Sequence, residues 1–408
     1  MGVDTRSDVV ASVNAGKSHI AGEAFLDDRV SKAVAAGSLR AMQDTSGAVA
    51  QANVVVVAVP LMTDADGKPD FRTIDEVTHA IGSSVRPGTV VVYETTLPLG
   101  TTRGRLAPAL EQRSGLKLGE NLFLAFSPER VYSGRVFQDL ATYPKIIGGV
   151  DSESTAKAAA FYSSVLDAQI LPLANAETAE FAKLAETTYR FVNIALADEL
   201  ALFGRSRDVD ISQAFAAANT QPFSHIHQPG VGVGGHCIPV YPRFLLEAAR
   251  NGELSLVQSA KTADAAMPDV YLQLLSQALG GLRGKSVIVL GVSYRPDVKE
   301  SAFSAAFPLV AGLKHLGAKA MVHDPLFTEK ELKDLGFEPI DLDENNSADA
   351  VIVQAFHKPY RDLAWMHLVG LRAVVDGRGS LPVEAFAGSG VALITLGSCA
   401  TNGISLST

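Results

Sequence analysis

Runs of apolar residues along this chain change their period several times, and each change marks an element. Val54 to Val59 is continuously apolar and rich in β-branched residues, without the alternation of a half-exposed strand, which predicts a parallel strand buried on both faces. Upstream, Met1-Gly-Val-Asp4 reads as the tail of a strand ending in an acid. Val9, Val10 and Val13 then follow a helical spacing up to a stop at Gly16. Downstream come a short helix from Ile74 to Ile81 and a strand from Gly88 to Glu94, then strands over Leu122–Phe126 and Lys145–Gly148. This repetition of strand, helix and strand predicts a mostly parallel sheet covered by helices on both faces. From Asn175 to Gly204 the period becomes that of a long helix with one stripe of Ala, Leu and Phe. Helices from Ile211 to Ala218, Phe244 to Arg250 and Val257 to Leu279 continue a helical middle. Strand periodicity then returns at Ser286–Gly291, Ala320–Asp324, Ala350–Val353, Val374–Asp376 and Val391–Ile394, with helices from Pro308 to Leu316 and Glu329 to Leu335. The expected fold class is α/β: two Rossmann-like parallel-sheet domains joined by a long central helix region, divided as 1–172, 173–280 and 281–408.

Open parallel sheets bind ligands beyond the carboxyl ends of their strands. Pro60, Thr95, Thr96, Ser127 and Glu129 fall at such ends; each alone reads as a turn or cap residue, but their recurrence favours one shared cleft. Asp4 has two readings, a helix N-cap or an acceptor for a ribose hydroxyl. In the long helix, Glu180, Lys183 and Thr187 share a face. Either Glu180 and Lys183 form a solvated ion pair, or Lys183 faces a cleft and supplies positive charge.

The densest chemistry lies in Pro229–Pro239, where glycines at 230, 232, 234 and 235 allow a tight turn and close approach to a ligand. Cys237 lies just beyond them, after His236, near the start of a new element. If that element is a helix, its free N–H groups would lower the thiol pKa and make a covalent nucleophile; the other reading is a small buried hydrophobe. His225, His227 and His236 stand near this cysteine, but their spacing matches no short zinc pattern and the loop has no acidic ligand, so no metal site is expected. Arg295, just past a strand end, suits either a phosphate or a surface ion pair.

Composition narrows the class. A formal charge of -9 with 35 Lys plus Arg in 408 residues does not suit general nucleic-acid binding. Two cysteines, Cys237 and Cys399, are too few for a disulfide scaffold and fit a reducing cytosol. No apolar run reaches membrane-spanning length and the N-terminus lacks the marks of a signal peptide, so a cytoplasmic protein without membrane partners is expected.

Taken in order, Val59-Pro60, Glu94 to Arg103, Ser127-Pro-Glu-Arg-Val131 with Ile147-Gly-Gly149, Lys183 to Arg190, Gly232 to Pro239, His323-Asp-Pro325 and Val375 to Arg378 resemble the UDP-glucose/GDP-mannose dehydrogenase family. Within it they are most similar to the branch acting on UDP-N-acetyl-mannosamine or UDP-N-acetyl-glucosamine. The resemblance implies an NAD-binding domain, a dimer-forming central helix, and a C-terminal domain that holds a UDP-sugar. It also implies four-electron oxidation of the sugar C6 alcohol to a carboxylate through a thiohemiacetal and a thioester on Cys237, for surface-polysaccharide precursors. Lys183 would stabilise oxygen charge, Glu129 would move a proton or position water, and Thr96 would sit near the nicotinamide. Asp4, Pro60, Thr96 and Glu129 would line the cofactor; Arg130, Val131, Lys183, Gly232, Gly234, Gly235 and Arg295 would line the UDP-sugar. A homodimer or higher homo-oligomer is implied.

Some positions depart from the family pattern. Thr187 stands where asparagine is common, and Tyr241 where an aspartate is usual; a phenol with a pKa near 10 is a poor base at neutral pH. The segment Arg295-Pro-Asp-Val-Lys-Glu300 lacks the usual arginine, for which Lys299 would supply charge toward the cofactor pyrophosphate. The strand and Gly-x-Gly-x-x-Gly turn that normally precede the ribose acid do not precede Asp4, so the expectation is an N-terminally truncated first domain with weak NAD binding. The alternative function is a catalytically weak nucleotide-sugar-binding or dimerisation protein of the same fold.

Overall fold

The computed structural model describes the chain except for residues 21, 65–66, 251, 343–345, 363–364 and 397–408, so Cys399 lies outside the described residues. Two compact units are formed, Met1–Glu186 with Arg243–Ala248, and Thr187–Pro242 with Ala249–Thr408. Each contains a Rossmann-like sheet.

In the first unit, β1 (Gly2–Val3) and β2 (Ala41–Met42) pair in parallel as a separate two-stranded sheet, flanked by helices α1 (Ser7–Asn14), α2 (Leu26–Ala35) and α3 (Thr45–Val49). The main sheet has the order β3 (Val54–Val57), β6 (Thr89–Tyr93), β7 (Leu122–Phe126), β8 (Lys145–Gly149), β9 (Ile170–Pro172); β4 (Met62–Thr63) and β5 (Pro69–Asp70) form a small hairpin. Every residue of β6 and β7 is buried, with α4 (Arg72–Gly82) and α5 (Ala107–Ser114) lying next to one another and α7 (Ser152–Val165) packed on β7 and β8. The continuously apolar strand β3 departs from the buried-on-both-faces expectation. It has β6 as its one partner in the sheet and lies at an edge, so Val56 is 42 % exposed.

The sheet is mostly parallel as expected, and strand β8 is its exception: it runs antiparallel to β7 with Ala125 opposite Gly149. The connection holds only α6 (Val136–Thr142), at seven residues about 10 Å long, which is shorter than a five-residue strand of about 17 Å. The chain therefore re-enters the sheet at the end where it left, and β8 begins with Lys145 beside the carboxyl ends of β6 and β7.

Helix α8 (Ala176–Arg205) starts in this unit. Glu180 does not form the solvated pair with Lys183: it is fully buried and accepts hydrogen bonds from the N–H groups of Gly100 and Thr102 and from the Thr102 hydroxyl. Burial nevertheless outweighs these donors and raises its carboxyl above the usual range. The turn after Thr96, with Gly100 at φ +82°, is tied to the helix by this side chain and, just beyond it, by the pair of Arg103 with Glu177.

The second unit carries α9 (Ile211–Ala218), the start of α10 (Tyr241–Ala248), and the long α11 (Ser255–Leu279), the helix that connects the two Rossmann-like domains. Its sheet is wholly parallel, in the order β11 (Lys319–His323), β10 (Ser286–Leu290), β12 (Ala350–Val353), β13 (Ala373–Asp376), β14 (Ala392–Ile394). Alternate residues of β10 enter different cores. Val287 and Val289 join α11 and α12 (Ala306–His315), and Ile288 and Leu290 join Tyr360 and Leu368 on the other face; α13 (Glu329–Asp334) adds Leu332 to the first core. The order reverses between β10 and β12, which opens a crevice at their carboxyl ends.

Candidate active site

In the first unit the strand ends converge on a charged cluster. Lys145, 5 % exposed, places its ammonium 2.7 Å from Glu94 Oε1 and 3.3 Å from Glu129 Oε2. The Tyr162 hydroxyl donates to the same Glu94 oxygen at 2.6 Å, and burial beside this carboxylate pushes its phenol far above the usual range. Glu129 is further oriented by the Arg130 N–H on Oε1 at 2.6 Å, while its own N–H donates to the Glu94 carbonyl. Thr95 donates to the Val59 carbonyl at 2.5 Å, which links the ends of β3 and β6 beside Pro60. Thr96 is buried and Ser127 donates to the Ile146 carbonyl. Arg130 pairs with Glu186 at 2.8 Å and reaches the Pro144 carbonyl; Val131 is half-buried next to it. Lys183 is half-buried on α8 in this unit.

The second unit contributes the glycine loop. Its strands and helices hold the loop from several sides: Gly230 N–H donates to Asp198, Val231 N–H to the Gly377 carbonyl, Val233 N–H to Asp264, and Gly235 N–H to the Ala302 carbonyl. The close approach that the glycines allow is made, at two positions, to Tyr294. A Cβ at Gly234 would stand 2.6 Å from the Tyr294 Cβ, and one at Gly235, where φ is +94°, would stand 3.0 Å from its ring. Arg378, half-buried, donates to the carbonyls of Gln354 at 2.8 Å and Gly232 at 3.2 Å, joining the loop to the sheet ends; desolvation lowers its pKa. Cys237 is exposed, and its carbonyl accepts from Val240 and Tyr241 in the turn that opens α10. The helical reading of the element after the cysteine therefore holds. His236 contacts Glu300 at 3.0 Å. A cavity of about 200 Å³ lies in this unit, lined in part by Asn219, His227, Tyr271 and Arg378.

Arg295 donates to the Tyr294 hydroxyl at 3.1 Å, and Lys299 is held by both oxygens of Glu331 at 2.6 and 2.8 Å. Reading the chain alone passed over Lys145, Tyr162, Asp198 and Arg378 as site residues. The only available signals were a lysine opening a buried strand and an arginine directly after Asp-Gly at a strand end. Among the described residues, no group of three His, Cys, Asp or Glu side chains is placed to hold a metal, and no helix is long and apolar enough to cross a membrane.

A pair of Rossmann-like units, one with an acid–base cluster at its strand ends and the other with a glycine loop leading to an exposed thiol, defines a dinucleotide-dependent oxidoreductase with a separate domain for its substrate. Three family models match in chain order: the NAD binding domain of the UDP-glucose/GDP-mannose dehydrogenase family over residues 1–166, its central domain over 177–266 and its UDP binding domain over 288–382. The chain belongs to the UDP-glucose/GDP-mannose dehydrogenase family and is an NAD-dependent oxidoreductase of nucleotide sugars. It is 32 % identical over 390 residues to a UDP-N-acetyl-D-mannosamine dehydrogenase of Pyrococcus horikoshii, covering 93 % of this chain and 89 % of the relative. It is 32 % identical over 388 residues to an NDP-N-acetyl-D-galactosaminuronic acid dehydrogenase of Ralstonia solanacearum, covering 93 % and 90 %. The solved structure of the P. horikoshii UDP-D-ManNAc dehydrogenase superposes with a TM-score of 0.85 at 29 % identity over 98 % of this chain and 93 % of that one. A UDP-glucose dehydrogenase from Pyrobaculum islandicum gives 0.85 at 26 % identity over 97 % and 91 %.

The residues of the first unit suit NAD. Asp4 directly follows β1; one of its carboxylate oxygens accepts the Arg6 N–H at 2.8 Å, and the other has no hydrogen bond among the described residues, which leaves an acceptor for a ribose hydroxyl.

Proposed function

We propose that this protein oxidises the C6 alcohol of a UDP-N-acetylhexosamine to the uronic acid through covalent intermediates on Cys237, for surface-polysaccharide precursors. The observation that carries this reading is the exposed Cys237 at the turn into α10, beyond a glycine loop held to the sheet ends by Arg378. NAD, when bound, takes the hydrides, two molecules being reduced for each sugar carried from alcohol to acid. Asp4 and Pro60 line the cofactor, with Lys299 toward its pyrophosphate. Arg130, Val131, Gly232, Gly234, Gly235 and Arg295 line the nucleotide sugar.

The chain's own residues then act as follows. The Cys237 sulfur adds to the aldehyde carbon and the carbonyl electron pair moves to oxygen, giving a thiohemiacetal whose oxidised form is a thioester. Lys183 opposes the negative charge that develops on that oxygen. Glu129 takes a proton from the water that cleaves the thioester, and Thr96 helps to place that water. The usual aspartate is replaced by Tyr241, so Glu129 is left with the water-directing work.

A dimer in the cytoplasm fits the same reading. Tyr189, Leu196, Leu200 and Phe203 form an exposed apolar line on one face of α8 and are 58, 46, 38 and 60 % exposed, and a second copy of the chain is its natural cover.

The test is the ratio of NADH formed to UDP-sugar consumed, measured over UDP-glucose, UDP-N-acetyl-glucosamine and UDP-N-acetyl-mannosamine. Two per sugar with an N-acetylated substrate supports the reading. One per sugar makes the protein a simple alcohol dehydrogenase, and none makes it a binding protein.

A further inference from the structure

We propose that Lys145 is a positioning residue for Glu129, itself held in place by Glu94 and Tyr162. The proposal rests on the reading above, in which Glu129 directs the water that cleaves the thioester. An ammonium that is 5 % exposed has lost most of its hydration, and such a charge persists in a protein when opposite charge and hydrogen bonds replace the water. Lys145 has both. Its Nζ donates to Glu94 Oε1 at 2.7 Å and to Glu129 Oε2 at 3.3 Å, and lies 5.0 Å from the centre of the Tyr162 ring.

The two carboxylates are not equivalent. Glu94 is 19 % exposed at its side chain, is clamped by the Tyr162 hydroxyl on the same oxygen that meets Lys145, and is fixed through its N–H to the Val57 carbonyl. Glu129 is 37 % exposed, and its outer side is open to solvent or ligand. Glu94 therefore anchors the ammonium, and the ammonium in turn holds one oxygen of Glu129. The Arg130 N–H, 2.6 Å from Oε1, holds the other. With both oxygens restrained, the lone pairs of Glu129 point in set directions, which is what a carboxylate needs to orient one water.

In the step concerned, the water oxygen bonds to the thioester carbon and the C–S bond breaks, its electron pair leaving on the Cys237 sulfur. One water proton passes to Glu129 and on to the thiolate; the other leaves with the acid. Without Lys145, two carboxylates face each other with no charge between them and Glu129 swings away. The arrangement depends on the antiparallel course of β8, which sets its first residue at the carboxyl ends of β6 and β7.

The experiment is a kinetic cycle on the full chain with Lys145→Met, Glu129→Gln and the double variant, with melting temperatures recorded alongside. The expected result is a fall in kcat of about 10- to 100-fold for each single variant with little change in KM, mass-detectable thioester on Cys237 in both, and a double variant no slower than Glu129→Gln. Multiplying losses in the double variant, or normal kcat in Lys145→Met while Glu129→Gln is slow, overturns the proposal. A neutral Glu129→Gln overturns the role given to Glu129 and the proposal with it. A second arm is independent of turnover: reductive dimethylation read by peptide mass. Lys145 is expected to resist labelling in the wild type and to label several-fold faster in Glu94→Gln; fast labelling in the wild type overturns the buried bridge even if the chain forms no NADH.

Discussion

Glu180 receives both the backbone N–H and the hydroxyl of Thr102, at 2.8 and 2.6 Å, although 78 positions separate the two residues. With Gly100 N–H also on this carboxylate, three donors meet one buried acceptor. Glu180→Gln turns an NH2 group toward one of them and leaves it unsatisfied. The expected loss is about 1–3 kcal/mol of stability, read as a lower urea midpoint, with reduced activity because the turn following Thr96 is loosened. An unchanged midpoint would show that the three bonds carry no net stability.

Asp198 accepts the Gly230 N–H at 2.8 Å from a buried position, and its second oxygen has no hydrogen-bond partner among the described residues. Burial raises its carboxyl to about 7. Because the folded value is raised, the stabilising contribution is full below the unfolded value of about 3.9 and is lost as pH rises through about 7. Asp198→Asn keeps an acceptor for Gly230 and removes the charge. The variant should therefore gain on the wild type in melting temperature between pH 5 and pH 8. A constant gap over that range would contradict the assignment.

Cys237→Ser is expected to abolish net acid formation while leaving UDP-sugar affinity within a few-fold, since the thiol carries the covalent step and holds neither uridine nor phosphate. Steady-state NADH formation and calorimetric titration with the UDP-sugar separate the two effects. Unchanged turnover would remove the covalent role.

For Lys183→Ala the expected signature is a fall in kcat larger than any rise in KM, as follows when an interaction strengthens mainly in the transition state. A pure KM effect in initial-rate measurements would put Lys183 in ground-state binding instead.

Phe203→Glu places a charge at the C-terminal end of the apolar line on α8, on its most exposed member. On the proposed dimer reading, sedimentation velocity shows a wild-type dimer that the substitution shifts toward monomer, with the melting temperature of the monomer little changed. A variant that stays dimeric would assign the interface to another surface.

Both sheets, the long helix and the glycine loop with its cysteine were legible in the sequence, because each rests on local physics: β-branched runs for buried strands, a 3.6-residue period for α8, and glycines where Gly235 takes φ +94° against Tyr294. Local pattern carries no information on the direction in which a strand enters a sheet. Lys145-Ile-Ile-Gly-Gly reads the same whether β8 runs up or down, and only its antiparallel pairing with β7 turns Lys145 from an ordinary strand residue into the charge between Glu94 and Glu129. The same limit applies to Glu180, whose helical neighbours suggested a pair with Lys183, whereas its partners come from a turn 78 to 80 positions away. It applies as well to Val56, whose composition signals burial, but whose exposure was decided by its strand's place at the sheet edge. Which residues form elements is settled by short-range sterics and periodic burial; which charges meet is settled by long-range packing, and in this protein the candidate chemistry lies in the second.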